Sequence, residues 1–533
     1  MSIYELNLNS FVTGKKGMVV SAHPLASEAG IKILKMGGNA IDATIAVAST
    51  LCVVEPYMSG LGGVGVALVY TSQNKLTRSL NFSGKCPINI NSLNLTKNDL
   101  DSGPLSSLIP GVVSGWSELH KKYGSLNWEK LFDSAIYYAN AGFELSPLGS
   151  YIISESVYKL KSNEDPYESI LDSLGNAPKP GTKITMPLLG QTLSKIAIDS
   201  STFYQGQLAQ NIVQENQSYG GLFKIEDFNS YKARWETPIK INYQGYDILT
   251  TPPNSSGFQI LQTLKILENI KFDEPVYVNA NQIDLFLKAM KLALRDRIEF
   301  SCDPDYKYIP LKRLLSDKYI ANLRTRIKNK IPNKQLLTNL NRPIDENRGM
   351  TTHFAIADQY GNVVSLTQTL GAFFGSGKVA GSTGVFMNNG CSWFSLDPKN
   401  NNCIAPSKRV QFVLAPTQIH KDGNFHASMG TTGGYGILQT TAQLLVNLLS
   451  NGLDIQESIN APRFITREDS TVIFENQFSN TLKNDLLNYG HIIDNTFNDP
   501  MGLGAAHGLV LGSDKVLYGG ADPRRDGVAL GLY

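Results

Sequence analysis

The sequence predicts an α/β protein in which a helix-rich first part precedes a strand-rich last part. Residues 110–300 alternate helical patterns with Gly and Pro turns. Residues 351–370 form two alternating runs around a short polar turn, which is the pattern of a β-hairpin. Further strand-like segments and helices follow the hairpin to the C-terminus. Strands that pair first, with helices layered outside them, indicate a stacked architecture of sheets and helices.

The first elements in chain order are helices. Pro24 begins a helical pattern that stops at Gly37-Gly38, since Pro favours the first helical turn and Gly the position past the last one. Asn39 can cap a second helix that runs to about Val54. The glycine-rich residues 60–65 then lead into a buried strand. Their match to a dinucleotide-binding fingerprint fails, because that motif needs a strand before it and a helix after it.

The later elements follow a change of character over residues 322–350, which are polar, basic and without periodicity. We predict that these residues are exposed connecting chain. Beyond the hairpin, we expect strands, then two helices, then two closing strands. In order these are Val410–Pro416, Thr417–His420, Asn424–Ser428, Ile437–Leu449, Leu482–Tyr489, Ala505–Leu511 and Lys515–Tyr518.

The composition describes a large globular interior. Of 533 residues, 18% are charged, below the usual ~25%. Lys and Arg number 48 against 46 Asp and Glu, and this balance argues against nucleic-acid or anionic-membrane partners. The five cysteines and seven histidines lack metal-ligand spacing, so we expect no metal and no cofactor.

The location is predicted from the N-terminus and the apolar runs. The first residues lack the basic region and apolar core of a signal peptide. The apolar stretch from Ala43 to Val54 is about a dozen residues long, too short to span a bilayer. A cytoplasmic protein is therefore expected.

The strongest chemical signal is Thr351-Thr352-His353 at the start of the hairpin, together with Gly433-Gly434 downstream. A threonine nucleophile needs a base, and a threonine exposed as a new N-terminus supplies its own α-amino group, which titrates near ~7.7–8.0. Glycine N–H groups can form an oxyanion hole. From spacing alone, two threonines in a strand are also ordinary β-branched packing.

Ordered motifs over roughly residues 17–533 resemble the γ-glutamyltransferase family of N-terminal-nucleophile hydrolases. They are GMVVSAHPLASEAGIKILKMGGNAIDATIAV, VVEPYMSGLGG, IPGVVSGWSELHKKYG, FYQGQLA, EDFNSYKARWETP, TTHFAIADQYGNVVSLTQTL, FGSGKVAGSTGV, TTGGYG and ADPRRDG. The resemblance implies a four-layer αββα sandwich, built from two chains after self-cleavage between Met350 and Thr351. The chains would be residues 1–350, ending in a releasable segment 322–350, and residues 351–533.

The resemblance also implies roles for particular residues. Thr351 would be the nucleophile, Thr369 the second threonine that supports it, and Gly433 and Gly434 the oxyanion pair. The family's clamp for a γ-glutamyl group, however, is altered. Ser83 replaces its arginine, Phe412 and Val413 replace its two serines, and Gly371, Gly390 and Trp393 replace its asparagine, glutamine and aspartate. Lys85, Lys408 and Arg409 lie nearby in sequence, as anchors for an acid or as structural charges.

Intact catalytic residues beside an altered clamp predict a self-processing amidohydrolase that acts on an acyl amide other than a γ-glutamyl donor. This resembles the divergent branch of oxamate amidohydrolase-like and acylase-like members. The expected partners are a small-molecule amide and the two chains of a heterodimer. One alternative is a genuine γ-glutamyltransferase or glutathione hydrolase with a rebuilt clamp. Another is a non-catalytic scaffold of the same fold.

Overall fold

The computed structural model describes residues 11–91, 94–161, 170–272, 274–328, 350–496, 501 and 503–533. The strands are numbered along the chain. They are β1 (Val12–Gly14), β2 (Gly17–Ser21), β3 (Val64–Thr71), β4 (Leu76–Phe82), β5 (Phe143–Glu144), β6 (Lys183–Ile184), β7 (Arg234–Glu236), β8 (Ile239–Tyr243), β9 (Tyr246–Thr250), β10 (Met350–Asp358), β11 (Val363–Gly371), β12 (Thr417–Lys421), β13 (Asn424–Thr431), β14 (Phe464–Thr466), β15 (Thr471–Phe474), β16 (Ile492–Asp494), β17 (Ala506–Leu511), β18 (Leu517–Ala521) and β19 (Val528–Leu532).

The helices are numbered in the same way. They are α1 (Pro24–Lys35), α2 (Ala40–Val54), α3 (Lys97–Asp101), α4 (Val112–Tyr123), α5 (Asp133–Ala141), α6 (Pro147–Lys161), α7 (Pro187–Ile198), α8 (Gln207–Ser218), α9 (Ile225–Ser230), α10 (Phe258–Leu267), α11 (Ala280–Phe300), α12 (Leu311–Leu314), α13 (Asp317–Lys328), α14 (Gly436–Leu449), α15 (Ile455–Asn460) and α16 (Asn480–Asn488). None of the helices in the described part of the chain has both the length and the apolarity that crossing a bilayer requires.

Two large sheets form the centre of the described structure. Sheet 1 has the order β1-β18-β17-β13-β12-β9-β8, and sheet 2 has the order β19-β2-β10-β11-β3-β4-β7. Apolar side chains between them join the sheets face to face, among them Met18 and Ala355 from sheet 2 and Phe425 and Leu509 from sheet 1. Helices α1 and α2 pack on the outer side of sheet 2, and α10, α14 and α15 pack on sheet 1. The predicted four-layer αββα sandwich is therefore confirmed.

The first two helices form where the sequence places them. His23 caps α1 through its ring nitrogen, and Pro24 occupies the first turn. Asn39 caps α2 in a capping box with Asp42. Every residue of α2 is buried, which is the expected state of a helix that is apolar on all sides and lies between other elements.

The hairpin β10–β11 lies in the middle of sheet 2 and carries the predicted nucleophile. Both strands are buried along their whole length, β10 between β2 and β11, and β11 between β10 and β3. Strands covered on both faces need apolar or hydrogen-bonded side chains throughout. Four buried polar side chains of this hairpin have protein partners, namely Thr352, Thr367, Gln368 and Thr369.

Two sequence expectations are wrong. Val410–Pro416 is not a strand: Phe412 N–H donates to Asn254 O at 3.0 Å, and the Asn254 side chain donates to Val410 O at 2.7 Å. The backbone of this segment is thus paired with a loop instead of a sheet ladder. Residues 322–328 belong to α13 rather than to irregular chain. Met350, the last residue of the predicted connecting segment, is buried at the start of β10 instead. Residues 329–349 of that segment lie outside the described residues.

Candidate active site

Thr351 is the second residue of β10 and is 3% exposed. The ladder with β11 pairs Met350 with Gly371 and Thr352 with Gln368, so the register shifts between these two pairs. This irregularity lies at the position of Thr351. Irregular pairing next to a reactive residue re-aims side chains that a regular ladder would hold in the pleat.

The peptide bond predicted to break is held by Thr369. Its hydroxyl donates to the Met350 carbonyl oxygen, and it accepts the Gly371 N–H at 2.7 Å. A buried hydroxyl bonded to a carbonyl oxygen polarises that carbonyl and stabilises negative charge that develops on the oxygen. Thr369 is thus placed to support attack on the Met350 carbonyl carbon.

His353, which follows Thr352 in β10, packs against the facing sheet. Its Nδ1 lies 2.8 Å from the Thr367 hydroxyl oxygen. A Cβ on Gly430, at the end of β13, would overlap the His353 ring. Burial, aided by the nearby His507, holds the pKa of His353 well below its usual value, so the imidazole is neutral. His353 is therefore a buried, uncharged contact between the two sheets.

Gly433 and Gly434 lie between β13 and α14, with φ of +104° and +57°. Their carbonyl oxygens accept the N–H groups of Gly436 and Ile437, both at 3.1 Å. Within the described residues, neither glycine N–H has an acceptor. Unpaired N–H groups at the start of a helix are suited to stabilise an oxyanion.

A buried ionic network supports this glycine loop from behind. Ala505 N–H donates to the Thr432 hydroxyl at 2.9 Å, and Thr432 N–H donates to Ala505 O at 2.8 Å. Asp522 accepts Ala506 N–H at 2.7 Å and pairs with the fully buried Arg463. The Arg463 guanidinium also donates to Gly504 O. The ADPRRDG segment thus fixes the chain against which Gly433 packs.

Two charged residues that sequence reasoning missed contact the start of β10. Arg525 donates to Thr351 O across 3.4 Å. Glu55 accepts the Thr352 hydroxyl at 3.0 Å. Burial raises the pKa of Glu55 to about 7, and the neighbouring Arg525 opposes that rise. Both residues lie inside the motifs VVEPYMSGLGG and ADPRRDG, but nothing in the sequence indicates that they meet at Thr351.

The clamp positions are distributed around this site and are packed by other residues. Ser83 is buried against Asn254, whose side chain donates to the Ser83 hydroxyl at 3.0 Å. Gly371 has φ of +103°, and a Cβ there would overlap Asn389 Oδ1. A Cβ on Gly390 would lie 2.5 Å from Leu108 Cδ1. The space that side chains would need at both glycines is therefore already filled.

The remaining clamp positions are apolar and buried. The Trp393 ring lies 5.9 Å from Phe412 and 4.8 Å from Tyr435, which follows Gly434 directly. The Trp393 indole N–H is buried and has no acceptor among the described residues. Val413 is 1% exposed beside them. The rings of Tyr435, Trp393 and Phe412 thus form a continuous aromatic surface from the glycine loop to the positions that correspond to the family's clamp.

Three basic residues lie near the clamp positions in sequence, and two of them, Arg409 and Lys408, bind other parts of the chain. Arg409 pairs with Asp305 at 2.7 Å. Lys408 donates to the carbonyl oxygens of Asn401 and Cys403, at 2.9 and 2.8 Å. Lys85 is half-buried, and desolvation lowers the pKa of its ammonium group. No cluster of three or more His, Cys, Asp or Glu residues in the described ranges is arranged to hold a metal ion.

The structure therefore brings Thr351, Thr369 and Gly371 together around the Met350 carbonyl. It places Gly433 and Gly434 at the end of the adjoining strand of the facing sheet. An αββα sandwich with two facing central sheets is the fold of the N-terminal-nucleophile hydrolases, and it indicates that class.

The chain belongs to the γ-glutamyltranspeptidase family, whose model matches residues 26–532. It is 35% identical to the glutathione hydrolase-like YwrD proenzyme of Bacillus subtilis, over 98% of this chain and 100% of that protein. It is 32% identical to the glutathione hydrolase proenzyme of Escherichia coli, over 96% and 91%. Among solved structures, cephalosporin acylase from Bacillus halodurans superposes with a TM-score of 0.89 at 29% identity, covering 100% of this chain and 99% of that one. The family consists of hydrolases and transferases, several of them named as proenzymes.

Proposed function

We propose that this protein is a self-processing amidohydrolase that cleaves its Met350–Thr351 bond and then uses Thr351 on a non-glutamyl acyl amide. The cleavage yields chains of residues 1–350 and 351–533. The observation that carries the proposal is the hydrogen bond from the Thr369 hydroxyl to the Met350 carbonyl oxygen. The proenzyme names of the relatives support processing of the same kind.

Self-cleavage needs only groups of this chain and one water molecule. The Thr351 hydroxyl oxygen adds to the Met350 carbonyl carbon while its proton leaves. The amide bond then breaks as the Thr351 nitrogen takes up a proton, which leaves an ester between Met350 and the Thr351 side chain. Water hydrolyses that ester, so Met350 gains a free carboxylate and Thr351 regains its hydroxyl group beside a free α-amino group.

After cleavage, Thr351 attacks the amide group of the substrate. Its α-amino group accepts the hydroxyl proton, and the oxygen attacks the amide carbon to form an acyl-enzyme. The N–H groups of Gly433 and Gly434 are the donors for the oxyanion. The amine leaves with a proton, and water or a second amine takes the acyl group.

The geometry of the altered clamp supports a substrate other than a γ-glutamyl compound. Gly371 and Gly390 have no room for the family's polar side chains, and Trp393 and Phe412 present rings. A site that lacks the hydrogen bonds for a polar group loses up to ~10⁴ in discrimination for it. The similarity to a cephalosporin acylase is in keeping with an acylase-like reaction on a non-glutamyl acyl group.

Self-cleavage is tested by expressing the intact chain. We expect two bands from the wild type, one intact band from Thr351→Ala, and two bands from Thr351→Ser, because serine retains a hydroxyl nucleophile. N-terminal sequencing of the smaller band should begin at Thr351. A wild-type chain that stays intact would overturn the proposal.

Substrate class is tested on the processed protein with a panel of p-nitroanilides. Acetyl, phenylacetyl and oxalyl anilides represent non-glutamyl groups, and the γ-glutamyl anilide represents the alternative. We expect at least one non-glutamyl anilide to exceed the γ-glutamyl anilide in kcat/KM. Efficient release from the γ-glutamyl anilide alone would favour the glutathione hydrolase alternative. Absence of both cleavage and labelling by a threonine-directed β-lactone would favour a scaffold.

A further inference from the structure

Glu55 occupies a position that disfavours a carboxylate. It follows the last residue of α2, where the helix dipole presents partial negative charge. Its side chain is 1% exposed. A buried acid at such a position costs free energy unless specific partners hold it. The partners that Glu55 has are all close to the start of β10.

The groups that face Glu55 come from three parts of the chain. The Thr352 hydroxyl on β10 donates to it. Arg525 attracts its charge and Asp526 repels it, both from the loop between β18 and β19. Tyr57 follows it on its own segment and interacts with its charge. Arg525 also reaches the Thr351 carbonyl oxygen. Arg525 and Glu55 therefore contact the first two residues after the predicted cleavage point, Thr351 and Thr352 respectively.

Cleavage makes this anchoring important. The pair Met350–Gly371 belongs to the intact chain, and the proposed cleavage makes Met350 the C-terminal residue of the other chain, no longer bonded to Thr351. The first ladder pair that remains in β10 is Thr352–Gln368. Thr351 then becomes a free chain end, and chain ends are the parts of strands that fray most readily. Its orientation depends on how firmly Thr352 is held.

We propose that Glu55 is a positioning residue for the nucleophile, whose hydrogen bond with the Thr352 hydroxyl keeps Thr351 in a reactive orientation after cleavage. The inference rests on the proposed function and adds a residue that acts through Thr352 rather than on the substrate. A misplacement of about 1 Å at a nucleophile is enough to lower a rate about 100-fold. The hydrogen bond therefore affects the limiting rate more than substrate binding.

The test measures acylation of the small chain by an alkyl β-lactone, whose ring is opened by the threonine oxygen to give an ester of defined added mass. Intact mass spectrometry follows labelling at several reagent concentrations, which separates the limiting rate from the concentration that gives half of it. The variants are Thr352→Val, Thr352→Ser, Glu55→Leu and the double variant Glu55→Leu/Thr352→Val. Thr263→Val is the control, since it also removes a buried hydroxyl, one that bonds Gln259 O within α10 at 2.8 Å.

We expect Thr352→Val to lower the limiting rate about 10- to 100-fold while leaving the half-saturating concentration unchanged. Thr352→Ser and the control should stay close to the wild type. The double variant should lose no more than the single ones, because both single changes remove the same bond. If Glu55→Leu does not fold, the contrast between Thr352→Val and Thr352→Ser decides the question.

The outcomes separate the two proposals. A wild-type chain that neither cleaves nor becomes labelled on Thr351 overturns the proposed function, and this inference with it. A wild-type chain that is labelled normally, with an equal limiting rate in Thr352→Val, overturns the role of Glu55 alone. Losses that multiply in the double variant also overturn it, because they indicate separate interactions.

Discussion

At the residue scale, the Thr369 hydroxyl has a clear partner in the intact chain and a proposed one after cleavage. In the intact chain, the Thr369 hydroxyl donates to the Met350 carbonyl oxygen. After the proposed cleavage, Met350 would end in a carboxylate, and the Thr369 hydroxyl would become available to the new Thr351 amino group. The role that the family resemblance implies for Thr369, support of the nucleophile, is compatible with this position. In the intact chain, the Gly371 N–H donates to the Thr369 oxygen and orients the hydroxyl.

We expect Thr369→Val to slow self-cleavage by about 10²–10³-fold, the usual cost of removing one oxyanion donor. Valine keeps the shape of the buried side chain but has no hydroxyl proton to give to the Met350 carbonyl. Thr369→Ser keeps that proton and should cleave within about tenfold of the wild type. The measurement is the fraction of intact chain against time after purification at low temperature. Equal cleavage rates for the valine and serine variants would contradict the assignment.

At the element scale, the loop between β13 and α14 combines free N–H donors with a backbone that only glycine adopts readily. Gly433 has φ of +104°, and a Cβ on it would lie 2.8 Å from Gly504 Cα. The neighbouring chain cannot yield easily, because Arg463 and Asp522 hold it by buried bonds. The loop conformation therefore depends on glycine at Gly433 and on the chain that packs against it.

We predict that Gly433→Ala impairs both stability and acylation. The substitution should lower the free energy of unfolding by about 1–3 kcal/mol and reduce β-lactone labelling of Thr351. Gly452→Ala is the matched control, because Gly452 also has positive φ, +68°, but has nothing within 4 Å of an added Cβ. The Gly452→Ala variant should lose stability but keep the wild-type rate of β-lactone labelling. Denaturant unfolding and labelling of both variants provide the check, and equal labelling rates would contradict the role of the loop.

The elements differ in how far local sequence determines them. Helices α1 and α2 could be predicted because Pro24 and Asn39 are local signals that act within their own segments. The hairpin β10–β11 could be predicted for the same reason. Val410–Pro416 could not, because its backbone bonds to Asn254, a residue far away in the sequence. Apolar composition alone does not distinguish a buried strand from a buried loop.

The candidate site also has a part that local sequence motifs indicate and a part that only the tertiary structure reveals. Thr351, Thr369 and the glycine pair could be named as candidates because they lie in motifs that resemble a family, and their catalytic roles stay a prediction. Glu55 and Arg525 lie in such motifs too, yet their contacts with Thr352 and Thr351 arise only when distant segments close around β10. The packing of Leu108 against Gly390 likewise arises only in the tertiary structure. It shows that a larger side chain has no room at this clamp position, which the glycine in the sequence does not reveal by itself.

At the scale of the whole molecule, the predicted cut does not separate two folding units. Sheet 1 joins β8 and β9 from before residue 350 to β12, β13, β17 and β18 from after it. Sheet 2 places β10 and β11 between β2 and β3. Each predicted chain therefore leaves unpaired strand edges and uncovered apolar faces when it is taken alone. Such surfaces cannot be exposed without large cost in free energy.

We therefore predict that the chains 1–350 and 351–533 stay associated after cleavage until the whole fold is lost. On size-exclusion chromatography both should elute in one peak at every urea concentration below the unfolding midpoint followed by circular dichroism. Above it they should separate. The uncleaved Thr351→Ala variant is the control for the midpoint, which should become concentration-dependent only in the cleaved protein, because only there does unfolding release two molecules. Separation of the chains at urea concentrations that leave the secondary structure intact would show that each chain folds by itself, against the shared sheets.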